Sequence, residues 1–142
     1  MKMDFNIQTK LDKSELMEKS KQVLWLSMNK MQGLAKRYAP FDTGKLSTSI
    51  HLLPMSSGSN QYILTDGVDY GIHMEYGTRP HWMPAGALKG WSRRKLGNEN
   101  MAYAVQNKIA SKGVEAHPFF RPALSQVREY WAQYYWKQIM NT

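Results

Sequence analysis

The side chains here that could carry metal or acid–base chemistry are four histidines (His51, His73, His81 and His117) and eleven acids, because the 142-residue chain contains no cysteine. A zinc site draws three or four close ligands, and no two of these histidines stand at a recognisable ligand spacing. His73 and His81 flank a Gly-Thr-Arg-Pro turn, with Glu75 between them. As a general base Glu75 would need an acid or nucleophile within reach, and the sequence shows none. It reads instead as a carboxylate that braces backbone near Gly77 and Thr78. Asp42-Thr43-Gly44-Lys45 invites a phosphate-loop reading, but that loop needs an earlier glycine four residues back and a helix after it. Phe41 to Ile50 alternates as a strand. No metal, cofactor or catalytic residue is therefore assigned, and an enzyme is not expected. A small hydrolase around Glu75 and His73 is the least supported class.

Composition fits one folded domain spanning residues 1–142. Hydrophobic residues make up 42% and charged residues 21%, an ordinary globular balance. The absence of cysteine excludes disulfides and thiolate metal sites, and is compatible with an intracellular folding environment. No stretch joins basic residues to an apolar run as a secretion signal does, and none approaches the roughly 20 apolar residues of a bilayer span. The expectation is a soluble chain with no membrane contact.

The net charge is +8, and its location matters more than its size. Between Arg79 and Lys112 stand seven basic residues (Arg79, Lys89, Arg93, Arg94, Lys95, Lys108 and Lys112) against the single acid Glu99. Such a run reads first as a solvated helix face. The sharper alternative is a surface for an acidic partner or for nucleic acid, because clustered positive charge steers association with polyanions.

Periodicity supplies the elements. Met3, Phe5, Ile7 and Thr9 alternate as a short first strand. Ser14 caps a helix running to about Tyr38, with the stripe Leu16, Val23, Leu24, Met31, Leu34, Ala35 and Tyr38; Pro40 ends it. Asp42-Thr43-Gly44 is a turn by chemistry, in which the Asp side chain can bond the following backbone. Leu46, Thr48, Ile50 and Leu52 alternate as a half-buried strand, Pro54 to Asn60 forms a hairpin loop, and Gln61 to Thr65 returns. Tyr70 to Tyr76 is either a short strand or one helical turn. Ala87 to Lys95 and Asn98 to Ser111 read as two helices broken at Gly97, with Asn98 as the N-cap of the second and Gly113 ending it, within an insertion of about residues 79–113. Pro122 opens the last helix, whose stripe is Leu124, Val127, Trp131, Tyr134 or Tyr135, and Gln138. The class is α+β: a small antiparallel sheet packed by a long N-terminal helix and a C-terminal helix, with a two-helix basic insertion.

Three turn-rich segments stand out in this order: Ala39 to Ile50, Asp69 to Thr78, and His117 to Leu124. Their marked residues are Pro40, Asp42, Thr43, Gly44 and Leu46; Tyr70, Glu75, Tyr76, Gly77 and Thr78; and Pro118, Phe119, Phe120, Arg121 and Pro122 through Leu124. The ordered set resembles the tail-component or head–tail joining family of tailed bacteriophages, named after gene product ten of a lambdoid phage. Some of its members carry a Trp- and Arg-rich insertion before the last motif, and Trp91 to Gly97 is similar to it. The resemblance covers most of the chain beyond the first dozen residues. It implies a virion protein of the tail or neck, assembled in the bacterial cytoplasm. It further implies a homo-oligomeric, hexameric ring that meets an adaptor, tail-tube or terminator ring, with DNA only passing through. The motif residues would then be joints of the fold. Interface candidates are Trp82, Trp91, Arg93, Arg94 and Lys95 of the insertion, and Tyr130 and Trp136, which one core-facing stripe of the last helix does not readily bury. The alternative is a nucleic-acid-binding module that uses Arg79 to Lys112, with Trp82 and Trp91 stacking on bases.

Overall fold

A computed structural model describes residues 12–57 and 60–142, so the expected first strand through Met3, Phe5, Ile7 and Thr9 lies outside the described residues. Helix α1 (Lys13–Tyr38) begins at Asp12, whose carboxylate accepts from the Ser14 amide at 3.2 Å and the Ser14 hydroxyl at 2.7 Å. The cap is thus Asp12, not Ser14. Pro40 excludes helical geometry from the residue before it, and Ala39 is accordingly extended (ψ 129°). Along α1 the buried residues are Val23, Ser27, Met31, Leu34 and Ala35. Leu16 and the first turns of α1 are largely exposed.

The next segment departs from the alternation. Gly44 turns the chain at φ +81°, and Lys45–Ser49 is a short helix, α2, where a strand is expected. Leu46 and Ile50 are four apart, a spacing common to periods of 2 and 3.6, so the pattern could not separate the two forms. In the helical form the hydroxyls bond back to the backbone. Thr48 Oγ1 donates to the Gly44 carbonyl at 3.0 Å, and Ser49 Oγ to that of Leu46 at 2.7 Å. Strand β1 (His51–Pro54) therefore starts later. It pairs antiparallel with β2 (Tyr62–Thr65), Leu52 opposite Leu64 and Leu53 opposite Ile63. Helix α3 (Gly71–Tyr76) resolves the ambiguous segment as helix.

The insertion holds α4 (Ala85–Leu96), closed by Gly97 in the left-handed conformation, and α5 (Ala102–Lys112), preceded by a 3₁₀ turn at Glu99–Met101. Asn98 accepts from the Asn100 amide as the expected cap. The last helix runs as α6 (Phe120–Gln126), a π-type segment (Val127–Trp131) and α7 (Ala132–Met140). The fold is thus mixed, largely helical around a two-stranded antiparallel sheet. Among the described residues no helix is long and apolar enough to cross a membrane.

Two apolar clusters result. The larger joins Met31, Leu34, Ala35 and Ala39 of α1 and its end with Leu46 and Ile50, and with Phe119, Ala123 and Val127 of the last helix. Leu64, Val68 and Met74 pack around it, so the last helix lies on α1 while the sheet contributes one edge of the core. On the last helix the buried positions are Ala123 and Val127, whereas Leu124 and Gln138, expected in the stripe, are exposed. The second cluster is local to the insertion: Ala85, Leu88, Ala102 and Ile109, with Met83, Val105 and Val114.

The insertion returns to the body through Gly113, at φ +76°, where a Cβ would stand 2.0 Å from the Thr78 carbonyl oxygen. Gly113→Ala is expected to lower unfolding stability in urea by about 2 kcal/mol or more, from backbone strain and forced separation of the two chains. Gly33→Ala is the contrasting control: Gly33 sits in an exposed turn of α1 with nothing within 4 Å of its Cβ position. It should gain roughly 0.5–1 kcal/mol.

Candidate functional site

The start of the last helix poses a local problem. The first four amides of an α-helix have no partner within it, and here they begin in a buried setting with no Ser, Thr, Asp or Asn cap. Glu75, in α3, solves it from a distance of 44 residues. Its Oε2 accepts from the Phe119 amide at 2.7 Å and the Phe120 amide at 2.9 Å, and its Oε1 from the Arg121 amide at 3.0 Å. The next residue, Pro122, has no amide to satisfy. A carboxylate at this end also meets the positive pole of the helix dipole.

Arg121 completes the junction. Its Nε donates to Glu75 Oε1 at 3.0 Å and its Nη2 to the Glu75 carbonyl oxygen at 2.7 Å, while the guanidinium lies 4.8 Å from the centre of the Tyr76 ring. Burial opposes ionisation of Glu75, but the Phe119, Phe120 and Arg121 donors together outweigh it and hold the carboxyl below its ordinary range. The carboxylate thus braces the closing segment, and not Gly77 and Thr78 as expected. The sequence did carry a signal: a helix opening on Pro118-Phe119, with no Ser, Thr, Asp or Asn at its start, needs an acceptor from elsewhere.

Gly77 and Thr78 are held by the opposite strand of the same junction. The Thr78 amide donates to the Val114 carbonyl at 2.9 Å, and Thr78 Oγ1 accepts the Val114 amide at 2.9 Å. Gly77 has φ +72°, and a Cβ there would stand 2.7 Å from the Val114 oxygen, so only glycine fits. The His117 amide reaches the Met74 carbonyl at 2.7 Å. Tyr70, Tyr76 and Pro118 are largely exposed, and Phe119 is fully buried.

The first segment does different work. Leu46 is buried, Ser47 Oγ donates to the Lys36 carbonyl at the end of α1, and Pro40 stops that helix. Thr43 is exposed. Asp42 does not bond the following backbone; its carboxylate accepts from Arg94 Nε at 2.9 Å and Nη2 at 2.6 Å. That guanidinium holds the Asp42 carboxyl below its usual range. Lys95 Nζ donates to the Phe41 carbonyl, and Arg93 pairs with Glu99. Three charges expected to face a partner are therefore engaged within the chain.

The interface candidates divide. Trp82 is 70% exposed, and Tyr130 and Trp136 are also largely exposed, while Trp91 sits at the margin. Tyr130 stacks with Tyr134 at 6.2 Å and meets Trp131 edge-on at 5.0 Å, so the last helix spends part of its aromatic surface on itself. Lys30 lies 3.7 Å from the centre of the Trp131 ring, tying that helix to α1. Among the described residues no three His, Asp or Glu side chains gather as a metal-binding group. Beside the Glu75 junction, between α3 and α6, lies a groove of about 350 Å³ walled by Met31, Ile72, Tyr76, Phe120 and Leu124, with Asp66 on its rim.

Replacing Glu75 with Ala strands three buried or half-buried donors and should cost about 3 kcal/mol in chemical unfolding; Glu75→Gln, which keeps one acceptor, should cost about 1–2 kcal/mol. Because the folded-state value is depressed, this stabilisation is complete above the unfolded value near 4.5 and is lost as pH falls through the folded value. Unfolding curves taken from pH 6 down to about 2 should show a steeper acid limb for the native protein than for Glu75→Gln.

No family model matches this chain, and neither curated proteins nor solved structures match it.

Proposed function

We propose that the chain is a structural or morphogenesis protein of a tailed-phage particle, acting at the head–tail junction or in tail completion by forming a ring that abuts a partner ring. The ordered resemblance of the three segments supports this reading. The observation that carries it is how those segments are used. Glu75, Arg121, Gly77, Thr78, Gly44 and Leu46 are all spent on joining elements, while large aromatics such as Trp82, Tyr130 and Trp136 remain on the outside. That division suits a rigid part whose work is contact, since aromatic anchors dominate protein interfaces.

The alternative, a nucleic-acid-binding module, would draw on the same insertion. Arg93 and Arg94 already face carboxylates and Lys95 a carbonyl, which leaves Arg79, Lys89, Lys108 and Lys112 as the cations of the insertion open to phosphate. If these four did bind duplex DNA, log affinity would fall against log salt with a slope of about −4.

Interrupting this reading frame in a phage that encodes it should leave filled heads and tails unjoined, or tails incomplete, in electron micrographs. Joined, infectious particles at the usual yield would overturn the proposal.

A further inference from the structure

Trp82 is presented in an unusual way for so exposed a side chain. The residue before it, His81, donates its amide to the Ile109 carbonyl at 3.3 Å, and the residue after it, Met83, has its carbonyl bonded by Gln106 Nε2 at 2.8 Å. His81 Nδ1 also contacts Thr78 Oγ1 at 3.3 Å and the Arg79 carbonyl at 2.9 Å, closing the turn on itself. Both flanks of Trp82 are thus fastened to α5 while the indole stands in solvent, 70% exposed. A turn fastened at both flanks loses little backbone freedom on docking, which favours its exposed aromatic as a binding anchor. Arg79, three residues away, is exposed and has no ion-pair partner among the described residues.

The same molecule carries a recess of complementary character. The groove between α3 and α6, open to solvent and of about 350 Å³, has walls of Met31, Ile72, Tyr76, Phe120 and Leu124. Ile72 and Tyr76 are more than 60% exposed, with Arg121 lying over one face of the Tyr76 ring. Its rim carries Asp66, with Asp69 in the loop just before α3, and neither has an ion-pair partner among the described residues. Arg121, the cation in the groove lining among the described residues, pairs with Glu75.

We propose that the Trp82 turn of one copy seats in the α3–α6 groove of the next copy, with Arg79 against Asp66 and Asp69. The inference rests on the ring reading above and names its subunit contact. Knob and groove are different surfaces, so the contact is head-to-tail, the kind that repeats into a closed ring or a filament. Charge complementarity selects this occupant: the recess is mostly apolar with Asp66 in its lining and Asp69 in the loop before α3, the knob is apolar beside Arg79, and none of these three charges has an ion-pair partner among the described residues.

Light scattering over a concentration series tests it on the full chain. The native protein should form a defined oligomer; Trp82→Ala and, separately, Ile72→Lys should shift it to monomer, raising the concentration for half-assembly at least tenfold. Both side chains are exposed, so thermal melts of the two monomeric variants should match the native protein and exclude misfolding as the cause. The variants mixed one to one should give dimers and nothing larger, because each retains one intact half of the contact. Arg79→Glu should also weaken assembly, and adding Asp66→Arg and Asp69→Arg should restore it. Native-size oligomers from Trp82→Ala would overturn this contact while leaving the ring reading in place, and would direct attention to the aromatic face of α7. A native protein that stays monomeric at every concentration would overturn both.

Discussion

A single buried carboxylate sets the geometry on which the other elements depend. The last helix must start inside the protein, since Phe119 is fully enclosed in the main core, and its leading amides must find acceptors there. Glu75 supplies them, and Pro122 reduces the number needed. Once α3 and α6 are joined in this way, the positions of Gly77 and Thr78 follow. The chain leaving α3 runs beside the chain entering α6, closely enough that Thr78 bonds Val114 and that glycine is required at 77 and 113. Removing the carboxylate would therefore disturb more than one cap. It would loosen the paired segment from which the insertion springs.

The insertion itself has an intermediate independence. It owns an apolar cluster, Ala85, Leu88, Ala102 and Ile109, separate from the main core. Its attachment rests on the paired segment at 77–82 and 113–117 and on a polar clasp at the far side, where Arg94 meets Asp42 and Lys95 the Phe41 carbonyl. The clasp is exposed and salt-screened, so it orients the insertion more than it stabilises the protein. The paired segment is better sheltered and fixes the turn that presents Trp82. Position and presentation of the aromatic knob thus rest on neutral hydrogen bonds, from the His81 amide and the Thr78, His81 and Gln106 side chains, and not on ion pairs.

Much of this was legible beforehand and some was not, and the division has a physical basis. Helix α1, the Gly97 break with the Asn98 cap, the Gly113 stop and the β2 strand follow from signals confined to a few adjacent residues. The Leu46–Leu52 alternation misled because Leu46 and Ile50 satisfy two periods at once, and the segment after the Gly44 turn is helical, with hydroxyls bonded back to the backbone. Asp42 was read as a local turn-former, whereas its partner lies 52 residues away in Arg94.

The amino-acid sequence by itself determined the element types over most of the chain, the mixed class, the concentration of positive charge between residues 79 and 112, and the turn points at Pro40, Gly44 and Gly77. These depend on backbone propensity and short-range periodicity, which neighbouring residues carry. Only the tertiary structure decided that Glu75 serves Phe119, Phe120 and Arg121, that Arg94 is spent on Asp42, and that Trp82 stands uncovered between neighbours fastened to α5. Such facts join residues far apart in the chain, and the choice of partner for a buried charge or an exposed ring is made by the packing that brings distant segments together.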